Sequence, residues 1–184
     1  LTAIALAAPA AAILPPVDGY YTFDQPGVPS AKWEMQSICI QPNGTRAQAD
    51  YTDETIQTLG CTVTVTASTQ SLVTREEKLV NFSGRARLTG GLWTFQVEQP
   101  EGLTCPDGSY APRTETFAFT APDPNGPPNL TGTRTSVNAA ACGVPAAVTK
   151  TPFTLTFNDV LDPGVVARFP AICNYLAGRP SICS

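Results

Sequence analysis

An all-β fold, an antiparallel sandwich or barrel-like domain with a short helical C-terminal tail, is predicted for this chain by three observations. Apolar residues recur with period two through much of the sequence, the intervals between those runs are rich in Pro, Gly, Asn and Asp, and six cysteines are spread irregularly through 184 residues. Period two sends one face of a run to a core and the other to water, the pattern of a half-buried strand. Many short strands divided by turn residues build sandwiches and barrels.

Residues 20–23 and 32–41 are the first two predicted strands, and Trp33, Met35 and Cys39 share parity in the second. Residues 62–67 alternate strictly, with Cys61, Val63 and Val65 on one face and threonine on the other. Strands at 85–88 and 92–98 flank Gly90 and Gly91, a pair suited to the positive φ angles of a two-residue hairpin turn. Trp93, Phe95 and Val97 share a face, Phe117 and Phe119 mark the next strand, and 130–136 and 153–157 complete the set. Connections are expected at 24–29, 41–44, 99–108 and 121–128, and the charged run 75–78 reads as an exposed strand end or turn. The expected core is Trp33, Met35 or Ile40 according to face, Val63, Val65, Trp93, Phe95, Phe117, Phe119, Phe153, Leu155 and Phe157.

This pattern divides the chain into a leader (1–17), a β domain (18–162) and a tail (163–184). The leader is uncharged and apolar as far as Pro15-Pro16, and it reads as a signal peptide or a retained membrane anchor. In the tail, Val165, Phe169, Ile172 and Leu176 recur at helical intervals, and Pro170 limits them to short helical turns.

Cys39, Cys61, Cys105, Cys142, Cys173 and Cys183 form no CxxC pair, and no histidine occurs in the chain. That excludes the usual zinc spacings, whereas an even number of cysteines behind an export leader implies three disulfides. Six cysteines admit many pairings. The shared parity of Cys39 and Cys61 on neighbouring strands favours a bridge between them, and the sequential pattern extends this to 105–142 and 173–183.

The absence of histidine also removes the commonest general base and metal ligand. GxSxG and SxxK are absent, and Lys32, Lys78 and Lys150 lie in no context that suggests a buried Ser-Lys dyad. Glu34, Glu76, Glu77, Glu98, Glu101 and Glu115 are the candidates for a glycosidase pair, but they are spread as expected of an acidic chain. The segments 123–126 and 105–108 carry oxygen ligands but no closing glutamate, and read as turns before calcium sites. Asn43, Asn81 and Asn129 head glycosylation triplets and read as surface loops. Tyr20, Tyr21, Phe23, Trp33 and Trp93 could line a ligand groove, though at period two they read first as core.

No catalytic, cofactor-binding or metal residue is therefore assigned, and the chain is expected not to be an enzyme. A net charge of −4, with 15 acidic and 11 basic residues, disfavours nucleic acid. The expected partner is a protein of the cell envelope, with membrane attachment open through residues 1–17. Its contact surface is expected at proline-rich loops at one end of the domain, formed by Asp24, Gln25, Pro26 and Pro29 and by Asp123, Pro124, Asn125, Pro127 and Pro128. Proline lowers the entropy lost when such a loop is immobilised.

Asp18-Gly-Tyr-Tyr-Thr-Phe23, the segment from Ala31 to Cys39 and Gly60-Cys-Thr-Val-Thr-Val65 are followed by Gly91-Leu-Trp-Thr-Phe95, Cys105-Pro-Asp-Gly108, Leu130-Thr-Gly132 and Cys142-Gly143. This order resembles small exported proteins of mycobacteria and related actinobacteria, a group mostly without assigned function, and similar β domains form extracellular parts of actinobacterial membrane kinases. The resemblance implies an exported, disulfide-containing β protein and carries over no catalytic residue. It leaves four classes in order: an envelope protein acting by contact, a membrane-anchored accessory subunit of a larger complex, an extracellular ligand-sensing domain, and a hydrolase.

Overall fold

The computed structural model describes residues 15–40, 46–47, 61–121 and 127–162. They form nine strands, β1 (Gly19–Asp24), β2 (Ala31–Ile40), β3 (Arg46–Ala47), β4 (Cys61–Ser68), β5 (Phe82–Thr89), β6 (Leu92–Thr104), β7 (Tyr110–Thr120), β8 (Leu130–Asn138) and β9 (Ala147–Asp159), with one helix, α1 (Arg75–Leu79). Every pairing is antiparallel, in the order β1-β9-β8-β7-β6-β5-β4-β2, with β3 on the end of β2. Because β1 also pairs with β2, the eight long strands close on themselves. Of the two predicted architectures the fold is thus the barrel. Closure removes the exposed edges that a sandwich would leave.

Antiparallel order fixes which connections share an end. The β1–β2 turn, the segment 69–81 carrying α1, and the β6–β7 and β8–β9 connections lie at one end, here called upper. The β5–β6 turn, the C-terminal ends of β2 and β7 and the starts of β4 and β8 lie at the lower end.

An eight-stranded barrel is just wide enough for side chains to fill it, and here aromatic rings do so. Trp33 is fully buried, stacked on Phe23 at 5.2 Å and ringed by Phe82, Phe95, Phe117, Phe119 and Phe153 at 5.5–6.1 Å. Glycines make room for them. A Cβ on Gly84 would overlap the Phe95 ring, and one on Gly132 would meet the Phe153 ring and the Ala118 carbonyl. The expected core is buried throughout except Phe157, which is half-buried, and Met35 is the residue facing inward. Tyr21, Phe23 and Trp93 belong to the same core with Trp33, while Tyr20, on the outer face, donates to Asp162 and lies under Lys32.

The hairpin at Gly90-Gly91 has φ of 59° and 83°, and Thr89 pairs with Leu92, as two glycines allow. Two expectations are corrected. Residues 99–104 are not a loop: β6 continues to Thr104 through a register shift between Gln99 and Leu103, where a bulge absorbs Pro100. The run 75–78 is not a strand end but α1. Thr74 Oγ1 accepts from Glu77 N at 3.2 Å while Glu77 returns its carboxylate to Thr74 N at 2.8 Å, a capping box that offsets the shortness of the helix.

Cys39–Cys61 joins residues directly opposite on β2 and β4, with Cα atoms 4.0 Å apart. Cys105–Cys142 ties the β6–β7 turn to the β8–β9 connection. Both follow the sequential pairing, while Cys173–Cys183 and the helical tail lie outside the described residues, as does residues 1–14 of the leader. Two disulfides are the mark of an oxidising, extracytoplasmic environment. No helix among the described residues is long and apolar enough to cross a membrane. Alkylation without reductant is expected to leave these four cysteines unmodified in a peptide map. Each bridge is expected to stabilise by about 3 kcal/mol through its effect on the unfolded chain. Free thiols at any of the four would contradict the compartment.

Pro15 and Pro16, assigned from sequence to the leader, are buried. Val17 O accepts from Tyr21 Oη at 2.6 Å, Pro16 O from Ser37 Oγ at 3.1 Å, and Asp18 Oδ1 from Ser37 N at 2.6 Å. The folded unit therefore includes this segment, which is tied to the lower end.

Candidate functional site in the upper end

The upper end gathers side chains that the filled interior excludes. Its first part is the β1–β2 turn, where Gly27 takes φ 83° and Asp24 Oδ1 accepts from Ser30 Oγ at 2.5 Å. The second is the segment 69–81. Asn81 Oδ1 accepts from Thr69 N at 3.1 Å and its Nδ2 donates to Thr69 Oγ1 and Glu77 O at 2.6 Å, so the amide anchors a loop. Asn129 likewise accepts from Phe157 N at 2.9 Å. Both amides, which head glycosylation triplets, are engaged in holding strands and loops together. Arg75 reaches from α1 to Glu101 O at 3.0 Å and lies over the Tyr110 ring at 4.6 Å, while Gln99 Nε2 donates to Leu79 O at 3.0 Å. These contacts hold α1 against β6.

The third part is the pair of tips joined by Cys105–Cys142. Residues 105–108 are a turn, with Gly108 N donating to Cys105 O at 3.0 Å and Asp107 accepting from Ser109 N and Oγ. Among the described residues no group of three His, Cys, Asp or Glu is placed to hold a metal.

Two clefts open beside the β1–β2 turn. One, of about 580 Å³, is lined by Thr22, Pro29, Lys32, Ser68, Gln70 and Glu77 among others. The other, of about 430 Å³, is lined by Asp24, Gln25, Pro26, Pro152, Phe153 and Thr154. All four residues singled out in the first contact loop thus line a cleft.

The second predicted loop sits elsewhere. Pro127 is exposed and Pro128 half-buried before β8, while Asp123, Pro124 and Asn125 lie outside the described residues. β7 ends and β8 begins at the lower end, so Pro127 and Pro128 lie at the opposite end of the barrel from the β1–β2 turn. Sequence shows that both are proline-rich, but not how many strands separate them around a closed circuit.

Beneath the upper end lies a buried ionic cluster built around Glu115, one of the acids considered for a glycosidase pair. Glu115 is completely buried; its Oε1 accepts from Arg113 Nε at 2.6 Å, and its Oε2 from Arg134 Nε at 2.9 Å and from Ser136 Oγ. Arg134 is 3% exposed and lies over the Phe117 ring at 5.5 Å. Burial alone would push the Glu115 carboxyl up. The hydrogen bonds from Arg134 and Ser136 and the charges of Arg134 and Arg113 outweigh it and hold the carboxyl below the usual carboxylate range. A sequence signal was present: Arg113 and Glu115 share parity with Phe117 and Phe119, and Arg134 and Ser136 share it with Leu130. Charge on the apolar parity of a strand marks a buried pair.

No family of known proteins, no curated protein and no solved structure matches this chain.

Proposed function

We propose that this chain is a non-catalytic, exported envelope protein that acts by protein–protein contact through its upper end, in line with the actinobacterial exported proteins it resembles. The observation that carries the reading is the β1–β2 turn, whose Pro29 lines one cleft and whose Asp24, Gln25 and Pro26 line the other, beside an interior filled by aromatic rings. A filled barrel leaves recognition to its ends and outer wall. The rim also carries Leu72 at 58% and Val73 at 85% exposure, apolar surface of the kind a partner covers. The chain-wide absence of histidine supports a non-catalytic role.

Membrane-anchored accessory subunit is the second reading, favoured by the way residues 16–18 are sewn to the lower end. A retained apolar leader would hold that end at the membrane and turn the clefts outward. Sequencing the N-terminus of protein purified from its host separates the two: a start within residues 11–18 supports the free protein, and a start upstream of residue 1 the anchored one.

Mild purification after amine crosslinking tests the contact itself, since Lys32 lines the larger cleft. A partner joined through Lys32 is the expected result. Recovery of the protein alone and monomeric, with no crosslink near the turn, would overturn the reading.

A further inference from the structure

The buried cluster is unbalanced. Two guanidiniums, of Arg113 and Arg134, face the one carboxylate of Glu115, which leaves one positive charge over in a site whose register neighbours carry none. Those neighbours are Val97 and Gln99 on β6 and Thr149 and Thr151 on β9. Each arginine gives only its Nε to Glu115, and among the described residues the terminal amino groups of neither make a hydrogen bond or ion pair. Beyond Glu115 the Arg134 guanidinium, on a side chain 4% exposed, meets only the face of the Phe117 ring at 5.5 Å, and no second carboxylate among the described residues shares its charge, so an anion that reaches it is attracted with little screening by water. Arg113, at 25%, gives the route in from solvent.

We infer that the upper end of the barrel holds a binding site for a small oxyanion, a carboxylate or phosphate group, received by the free amino groups of Arg113 and Arg134. A guanidinium presents five N–H donors in a planar fork, so the Nε that binds Glu115 leaves the Nη edge free for a second oxyanion. Glu115 orients the two forks and Ser136 fixes Glu115. The carboxylate thus positions the site and does not fill it.

The test uses the folded chain at constant ionic strength, titrated separately with inorganic phosphate and with acetate. The arginine Nε–H resonances and the melting temperature are followed together. The expected result is saturable movement of the Arg113 and Arg134 signals and a rise in melting temperature with at least one of the two anions. Which of them acts distinguishes a phosphate from a carboxylate ligand. Arg113→Gln alters a part-exposed side chain and leaves Arg134 matched to Glu115; it is expected to weaken the anion response about tenfold or more. The inference is overturned if neither anion gives a saturable shift, or if the response is the same in wild type and Arg113→Gln.

Discussion

Replacing Trp33 by Ala is expected to cost about 3–5 kcal/mol, the range for deleting a large aromatic from a core. A domain of this size has a total of about 5–15 kcal/mol, so the variant should be partly unfolded at ordinary temperature. The cost follows from position. Trp33 sits at the centre of Phe23, Phe82, Phe95, Phe117, Phe119 and Phe153, which come from five different strands, and a closed barrel cannot collapse around the cavity as a loose sandwich edge could. Trp33→Phe is expected to cost much less. It keeps a ring in the stack and removes a buried indole N–H that has no hydrogen-bond partner among the described residues. Val73→Ala, at a residue 85% exposed, should be close to neutral. Urea unfolding of the three variants measures the order. Equal losses for Trp33→Ala and Val73→Ala would mean that the interior is not packed as described.

Glu115→Ala is the second large effect, about 3–5 kcal/mol, because it removes the carboxylate that accepts from both arginines and strands a buried charge. The same carboxylate sets an acid limit. Its pKa lies below the unfolded value, so its contribution is fully present above about pH 4.3. It is then lost as pH falls from there through the lower native value. Wild-type stability is therefore expected to drop on acidification below about pH 4.3, and the part of that slope due to Glu115 should vanish in Glu115→Gln. An unchanged slope in that variant would show that other carboxylates govern acid unfolding.

Much of this fold was legible because strands write their burial in alternate positions. Thr62 to Ala67 and Phe153 to Phe157 could be read residue by residue, and Gly90-Gly91 announced its hairpin. The choice between sandwich and barrel could not be read, since it depends on β1 pairing with β2 and β9 at once, a long-range event without a local signature. Helix α1 was missed although Thr74 and Glu77 have capping-box spacing; it has five residues and no buried side chain, so no apolar period drew notice to it. The bulge at Gln99 hid the length of β6 behind a proline and a glycine. Part of the site was visible as a proline-rich turn. The ionic cluster was only half visible: Arg113 and Glu115 stand on the apolar parity of β7, but only register brings Glu115 opposite Ser136, with Arg134 two residues along β8.

The proposal that a protein partner docks at the upper end is tested most directly by site-specific photocrosslinking in the native host. A photoreactive residue is placed at Pro26, exposed in the β1–β2 turn, and in a separate variant at Leu92, 38% exposed beside the lower-end hairpin. A discrete heavier adduct from the Pro26 position and none from Leu92 is the expected result. An adduct from Leu92 alone, or none from Pro26 while the protein stays folded, would contradict it.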